Sequence, residues 1–263
     1  MISYCIAVYR PTYARLLLAE LEAKTSVPYE ILLWLNVRDA MLEAEIAGAE
    51  ARGVPLRILG RTPDNIGMTA YSRLFRAARY PLIAQIDDDV VCLSPGIAQR
   101  AADIFQRYPQ IRQLVADVWQ DEFTTGARPS LEHYLPFHAG EQLYDGPIDG
   151  WFAVYHRSIL AILTSLPMSP YFALGAAVSA QLKQRGLCGL LDRGMKVFHV
   201  VGPAYAEAFG MLAFEIGKYQ RLGRRDIVAW YESHPRGTMD LSDRITRIRS
   251  SLDCHSVGQV PRG

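Results

Sequence analysis

Apolar residues fall along this chain in short blocks separated by longer amphipathic stretches. Ile2 to Tyr9 is a mostly apolar run that predicts a strand, and Tyr13 to Lys24, with Leu16, Leu17, Ala19, Leu21 and Ala23, has the spacing of a helix. Tyr29 to Leu35 is almost wholly apolar, as a strand covered on both faces should be. The alternation continues with a helix over Ala40 to Arg52 stopped by Gly53, a strand over Val54 to Leu59, a helix over Met68 to Arg79 and a strand over Pro81 to Ile86. Such alternation predicts an α/β chain with a mostly parallel sheet and flanking helices. In these sheets ligands gather beyond the carboxyl ends of the strands, so chemistry is expected just after them.

The second half is less regular. A helix is expected from Ser94 to Tyr108 and a strand from Gln113 to Val118. Gln120 to Gly150 holds Thr124-Thr125-Gly126, Pro129, Pro136, Gly140, Gly146 and Pro147 and reads as a long loop of the kind that covers a site. A strand over Trp151 to Tyr155, helices over Ile159 to Ser165 and Ala176 to Arg185, and a strand over Met195 to Val201 follow. Beyond Ala204 the pattern is helical to about Ser251, and Ser256 to Gly263 is expected to be a disordered tail. The expected division is a first domain over 1–203, with halves at about 1–118 and 119–203, then a helical extension over 204–255 and the tail over 256–263.

With 263 residues, 50% of them hydrophobic, the chain can bury a substantial core. Its net charge of +1 gives no global field for nucleic acid or membrane surfaces. The start lacks the basic and apolar regions of a signal peptide, and no apolar run approaches the roughly 20 residues that cross a bilayer, so a soluble cytoplasmic protein is expected. Cys5, Cys92, Cys188 and Cys254 are scattered, without the close spacing of a zinc or redox motif, and read as buried or inert thiols.

The strand Pro81 to Ile86 delivers three consecutive carboxylates, Asp87, Asp88 and Asp89, to the mouth of the sheet. Side chains alternate in an extended segment, so Asp87 and Asp89 should face one way and Asp88 the other. Adjacent negative charges are tolerable when a hard cation such as Mg2+ or Mn2+ sits between them and a phosphate-bearing ligand. A solvated acidic turn, or a helix cap supplied by Asp89, explains the triplet alone equally well. Asn65-Ile66-Gly67, about 20 residues earlier, adds a glycine that permits close backbone approach at a helix start, where free amides favour polar or anionic groups.

Over roughly the first 200 residues these motifs, in this order, resemble the family 2 glycosyltransferases of the GT-A fold, a Rossmann-like mostly parallel sheet with flanking helices, here followed by a helical C-terminal region. Ile6-Ala7-Val8-Tyr9-Arg10-Pro11 is similar to the first strand and turn that hold uracil, and Asn65-Ile66-Gly67 with the helix through Arg73 to the segment before the acidic strand. The resemblance implies a UDP-sugar donor contacted by Tyr9, Arg10, Asn36, Asn65, Gly67, Arg73, Asp87 and Asp88, and Mn2+ or Mg2+ held by Asp87, Asp89 and His199. Glu30 to Asn36 looks like the second strand, but Leu35-Asn36 replaces its usual acidic pair, leaving the Asn36 amide as the candidate for the base edge. His133 and His138 are expected at the surface.

The acceptor half departs further. Gly150-Trp151 resembles the acceptor-lining segment, yet Ala176-Ala177 stand where inverting members carry Glu-Asp as general base. Alanine accepts no proton, so Asp149, with Asp145 behind it, becomes the candidate base, a front-face retaining route needs none, and binding without turnover is a third alternative. Asp149 in Pro147-Ile148-Asp149-Gly150 also suits a plain turn.

Lys218, Arg221, Arg224, Arg225, Arg236, Arg244, Arg247 and Arg249 outnumber the acids around them, with Tyr219, Trp230 and Tyr231 interleaved. That mixture suits a nucleic-acid groove as well as a solvated helix face. The compact layout looks like the small phage-associated glycosyltransferases of hydroxymethylated pyrimidines. This implies hexosyl or N-acetylhexosaminyl transfer to a 5-hydroxymethylcytosine-type base in DNA, with Thr125, Arg128, Gly150 and Trp151 on the acceptor side and the basic region tracking phosphates. A bacterial surface glycan or its lipid carrier is the alternative acceptor. A nucleotidyltransferase is the reading from another class, but Tyr9-Arg10-Pro11-Thr12-Tyr13 is not a Gly-rich phosphate loop.

Overall fold

The computed structural model describes the chain apart from residues 125–127, 168, 170–172, 234–238 and 255–263. Thr125, Arg236 and the expected tail therefore lie outside the described residues. The strands are β1 (Ile2–Val8), β2 (Tyr29–Leu35), β3 (Leu56–Arg61), β4 (Leu82–Asp87), β5 (Val90–Leu93), β6 (Ile111–Val118), β7 (Leu135–His138), β8 (Leu143–Asp145), β9 (Phe152–His156) and β10 (Cys188–His199). The helices are α1 (Pro11–Lys24), α2 (Ala40–Ala51), α3 (Thr69–Ala77), α4 (Ile97–Arg107), α5 (Leu160–Ser165), α6 (Leu174–Lys183), α7 (Pro203–Ala208), α8 (Leu212–Arg221), α9 (Arg225–Ser233) and α10 (Leu241–Asp253).

β3, β2, β1 and β4 lie side by side and parallel, joined by α1, α2 and α3 as crossovers. Ile2, Cys5, Ile31, Leu32, Leu33, Ile83 and Ala84 are fully buried, which is why their strands read as continuous apolar runs. Beyond β4 the direction changes. β9 runs antiparallel between β4 and β6, β10 returns parallel to β6, and β8 and β7 complete that edge antiparallel. The result is a mixed, mostly parallel α/β sheet.

Four strands depart from the expectations. β5 follows the acidic triplet at once and pairs with the end of β10, too short a run to declare itself. β7 and β8 lie inside the segment expected as loop; β7 leaves Leu135 71% exposed and so buries no apolar face that a pattern could show. β10 begins seven residues before the expected start, at Cys188 rather than Met195. Its polar centre, Asp192-Arg193-Gly194, hides it: Asp192 is wholly buried because Arg100 from α4 binds its carboxylate at 2.7 Å, and the register with β6 shifts there.

A second apolar cluster fastens the C-terminal helices to the sheet. Tyr13 of α1, Val91 and Cys92 of β5, Phe198 of β10, Tyr205 of α7 and Ile245, Ile248 and Leu252 of α10 pack together. Cys5 and Cys92 are buried, as expected, whereas Cys254 is exposed. With α7 and α10 anchored, α8 lies across the ends of β1 and β4, where Phe214 meets the Tyr9 ring at 4.9 Å between centroids.

The approach of β9 to β4 depends on Gly150, since a Cβ there would stand 2.1 Å from Gln85 Nε2. Gln85 is fixed in turn by the Tyr155 hydroxyl at 2.9 Å. Gly150→Ala is expected to lower unfolding free energy by about 1–3 kcal/mol, the usual cost of overpacking, measured by urea denaturation. An unchanged midpoint would contradict this packing.

Candidate functional site

β4 ends at Asp87, and the chain turns through Asp88 and Asp89 before β5. Asp88 points back into the protein, where its Oδ2 accepts from the backbone amides of Tyr9 and Arg10 at 2.5 Å each and its Oδ1 from Arg10 Nη1 at 2.7 Å. Three donors and no facing acceptor are the surroundings of an ionised carboxylate, although burial works against the charge. Asp89 lies between two partners, with Oδ1 3.0 Å from His199 Nε2 and Oδ2 3.1 Å from Arg10 Nη1. His199 arrives at the end of β10, and the amide of Val200 donates to the Asp89 carbonyl at 2.8 Å. Asp87 and Asp89 thus face one site and Asp88 another, as strand alternation requires.

The carboxylates of Asp87 and Asp89 and the His199 imidazole each offer a ligand atom within 4.8 Å of the others, little more than twice a metal–oxygen bond of about 2.1 Å. His199 Nδ1 is buried without a partner. Two carboxylates and a neutral imidazole fit Mn2+ or Mg2+. The electrostatics show a site awaiting positive charge. Enclosure by protein, and then the negative charge of Asp89, push the Asp87 carboxyl up to about 8. Burial would raise Asp89 too, but Arg10 first and then His199 outweigh it and hold that carboxyl below its usual range. Burial alone would lower His199, and Asp89 reverses the sign.

Asp87 and His199 line a cleft of about 580 Å³, and they share a neighbouring cavity of about 240 Å³ with Asp89. Tyr9, Asn65 and Gly67 line one end, Asp149, Gly150 and Trp151 the other, and Lys218 and Tyr219 of α8 the side opposite the sheet. Gly67, at φ 49°, sits in the left-handed region that favours glycine. Asp149 opens into this cleft, its carboxylate accepting from the Gly150 amide at 2.8 Å and from the Gly175 amide in the first turn of α6. Crowding by protein raises the Asp149 carboxyl despite those two amides. The helix start that bears Ala176-Ala177 therefore touches Asp149 directly.

Four expected site residues lie elsewhere. Asn36 is 2% exposed, and its Oδ1 accepts from Thr62 Oγ1 at 2.8 Å and the Ile66 amide at 3.2 Å, so it shapes the loop that carries Asn65 and does not line the cleft. Arg73 lies over the Trp34 ring at 4.8 Å. Asp145 pairs with Lys183 at 3.0 Å on the surface. Arg128 closes on the buried Asp117 at 2.5 Å. Each had a nearer partner of opposite or complementary character than the cleft offers. Arg10 does line the cleft, but as the counterion of the triplet. His133 and His138 are exposed.

Tyr71, Gln85 and Glu215 went unmarked in the sequence, and Lys218 stood out only as one of the C-terminal basic residues. Gln85 carried a signal, a polar residue in an otherwise apolar strand. Glu215 carried none: it is 4% exposed and binds Arg10 Nε at 2.5 Å across 205 positions of chain. The C-terminal basic residues are also largely engaged. Arg221 binds the Tyr9 hydroxyl, Arg224 pairs with Asp226, Arg244 with Asp121 and Glu122, Arg247 with Asp243 and Arg249 with Glu20. Among the described residues, most of the basic side chains expected to track DNA phosphates have partners within the chain, some of them in exposed surface pairs. No described helix is long and apolar enough to cross a membrane.

No model of a known protein family matches the sequence, nor does any curated protein sequence. Solved structures do match the fold. The mannosyltransferase PcManGT from Pyrobaculum calidifontis, in complex with GDP-Man and Mn2+, aligns with a TM-score of 0.57 at 13% identity over 84% of this chain and 61% of its own. GalNAc-T7 with UDP, GalNAc and Mn2+ gives 0.58 at 11% identity over 77% of this chain and 43% of its own. This chain thus spans less than two thirds of either. Mannosyl-3-phosphoglycerate synthase from Rubrobacter xylanophilus gives 0.53 at 17% identity over 91% and 79%. The chain has the GT-A fold of these nucleotide-sugar glycosyltransferases.

Proposed function

We propose that the protein transfers a sugar from a nucleoside diphosphate sugar to a hydroxyl group, with Asp87, Asp89 and His199 holding Mn2+ or Mg2+. The convergence of these three side chains, two of which line the cleft, carries the reading. The matching structures support it, because those proteins were seen with GDP-Man or UDP and Mn2+. Such a cation would stabilise the charge that gathers on the diphosphate. Tyr9 and Asn65 line the nucleoside end, and UDP-sugars carrying hexose or N-acetylhexosamine are the first donors to test.

Asp149 is the best-placed base. It lies in the cleft beside Gly150 and Trp151, at the helix start where the family's base pair would stand, and burial raises its carboxyl, which strengthens it as a proton acceptor. In the proposed step the acceptor O–H proton passes to the Asp149 carboxylate and the acceptor oxygen bonds to the sugar C1. The C1–O bond to the diphosphate breaks with its electron pair on the leaving oxygen. Nothing in the matching structures points to a DNA acceptor, and hydroxymethylcytosine DNA enters only as one member of an acceptor panel beside glycan and lipid-linked hydroxyls.

The deciding experiment incubates the protein with UDP- and GDP-sugars, Mn2+ and that panel, and follows release of nucleoside diphosphate and added sugar mass. Release that EDTA and Asp89→Ala abolish is expected, and release indifferent to both would refute the metal role. Asp149→Asn should lower kcat by about 10²–10⁴-fold with donor affinity retained; full turnover would remove it as base. Mn2+ binding displaces the proton that Asp87 holds below about pH 8. Affinity measured by calorimetry should therefore rise as pH increases toward 8, by up to about tenfold per unit, and level off above it. In the metal-free protein the sign is opposite: the raised Asp87 carboxyl favours folding at low pH, and that contribution is lost as pH rises through about 8. Asp87→Asn should remove the folding dependence and flatten that of Mn2+ affinity, leaving the part due to His199.

A further inference from the structure

Lys218 stands where three spaces meet. It borders the cleft, a second cavity of about 240 Å³ that Asp87, Asp89 and His199 all line, and an open groove of about 550 Å³ between α8 and residues 63–65. Its ammonium gives one contact to Glu215 Oε2 at 3.3 Å and lies 4.6 Å from the centre of the Tyr219 ring. An ammonium has three donors, so others remain for a ligand. Glu215 uses its other oxygen on Arg10 Nε, so each of its two oxygens faces a cation.

The second cavity holds an independent sign of a missing partner. Tyr13, 1% exposed, lines it, and the Tyr13 hydroxyl is buried without any hydrogen bond. Buried hydroxyls are almost always satisfied by protein, water or ligand. Tyr219 and Tyr231 bring further phenols to the same wall.

A nucleoside diphosphate sugar has a fixed order of parts. With the nucleoside toward Tyr9 and Asn65 and the sugar toward Asp149 and Trp151, its diphosphate falls between them and against the triad, at the junction Lys218 occupies. We infer that Lys218 is a catalytic residue that binds the leaving diphosphate, with the Tyr13 hydroxyl as a second donor from the second cavity. This rests on the glycosyl-transfer reading. As the C1–O bond breaks, its electrons add charge to the diphosphate oxygen, and a fixed ammonium stabilises that oxygen more than it does the intact donor. Lys218 should therefore act on kcat as well as on affinity. A lysine that merely clips Glu215 in place would do neither selectively.

The test uses the full chain and the variants Lys218→Gln, Lys218→Arg and Tyr13→Phe. Calorimetry measures binding of Mn2+ alone, of uridine and guanosine, and of UDP and GDP with Mn2+; turnover measures donor cleavage. Lys218→Gln is expected to bind Mn2+ and nucleoside as wild type does, to weaken the nucleoside diphosphate by about tenfold or more, and to lose on the order of 100-fold in kcat. Lys218→Arg should restore part of both, and Tyr13→Phe should weaken the diphosphate alone at an unchanged Tm. Wild-type diphosphate affinity and kcat in Lys218→Gln would overturn the assignment, as would parallel loss of Mn2+, nucleoside and diphosphate, which marks a structural clip. Failure of the wild-type protein to bind UDP or GDP with Mn2+ would overturn the glycosyl-transfer reading and this inference together.

Discussion

Three adjacent carboxylates repel one another, and the Arg10 guanidinium is what lets them share one corner of the sheet. Its Nη1 reaches Asp88 at 2.7 Å and Asp89 at 3.1 Å, while the amides of Tyr9 and Arg10 close on the other Asp88 oxygen. One acid of the three is thereby spent on joining the end of β1 to the end of β4. The other two are left facing His199. Removing one partner of a buried ion pair typically costs about 3–5 kcal/mol, so this corner is held by a term comparable to a good part of a domain's net stability. The same contact fixes the Asp89 rotamer, which presents Oδ1 to the site and keeps Oδ2 on Arg10.

Through Arg10 the triplet also feels the C-terminal helices. Glu215 of α8 binds Arg10 Nε and Lys218 Nζ, so one buried carboxylate ties the acidic corner to the helix that lines the opposite side of the cleft. Phe214 against Tyr9, and Arg221 on the Tyr9 hydroxyl, add contacts from the same helix. The region that looks in sequence like a separate basic extension is in space part of the cleft. Lys218, Arg224, Arg244, Arg247 and Arg249 pair with acids from α1, the 121–122 turn and the C-terminal helices themselves, so much of the local basic charge is matched.

What could be read from the sequence follows from the range of the interactions involved. β1 to β4 and their crossovers were legible because strands buried on both faces must be apolar, and amphipathic helices must cover them. The triplet was legible as the end of an apolar strand, while its tie to His199 came from the family resemblance. Pairings between distant polar residues leave no trace in a single sequence. Thus Asn36 resembled a base contact although it serves a loop, Arg128 an acceptor contact although Asp117 holds it, and Glu215 nothing at all. β10 was half hidden for the same reason, since Asp192 is an acceptable core residue only once Arg100 is known to reach it. Asp149 stands between these cases: Asp-Gly spells a turn, and only its contact with the start of α6 sets it in the cleft.

The claim on which the rest depends is that Asp87, Asp89 and His199 form a cation site. A crystal of the protein with Mn2+ and a nucleoside diphosphate, recorded at the manganese absorption edge, tests it most directly. The expected result is one anomalous peak about 2.1 Å from Asp89 Oδ1, His199 Nε2 and an Asp87 oxygen, with Arg10 still on Asp88 and Asp89 Oδ2. A crystal that binds the nucleotide with no peak between these three residues, or with manganese bound elsewhere in the cleft, would contradict it.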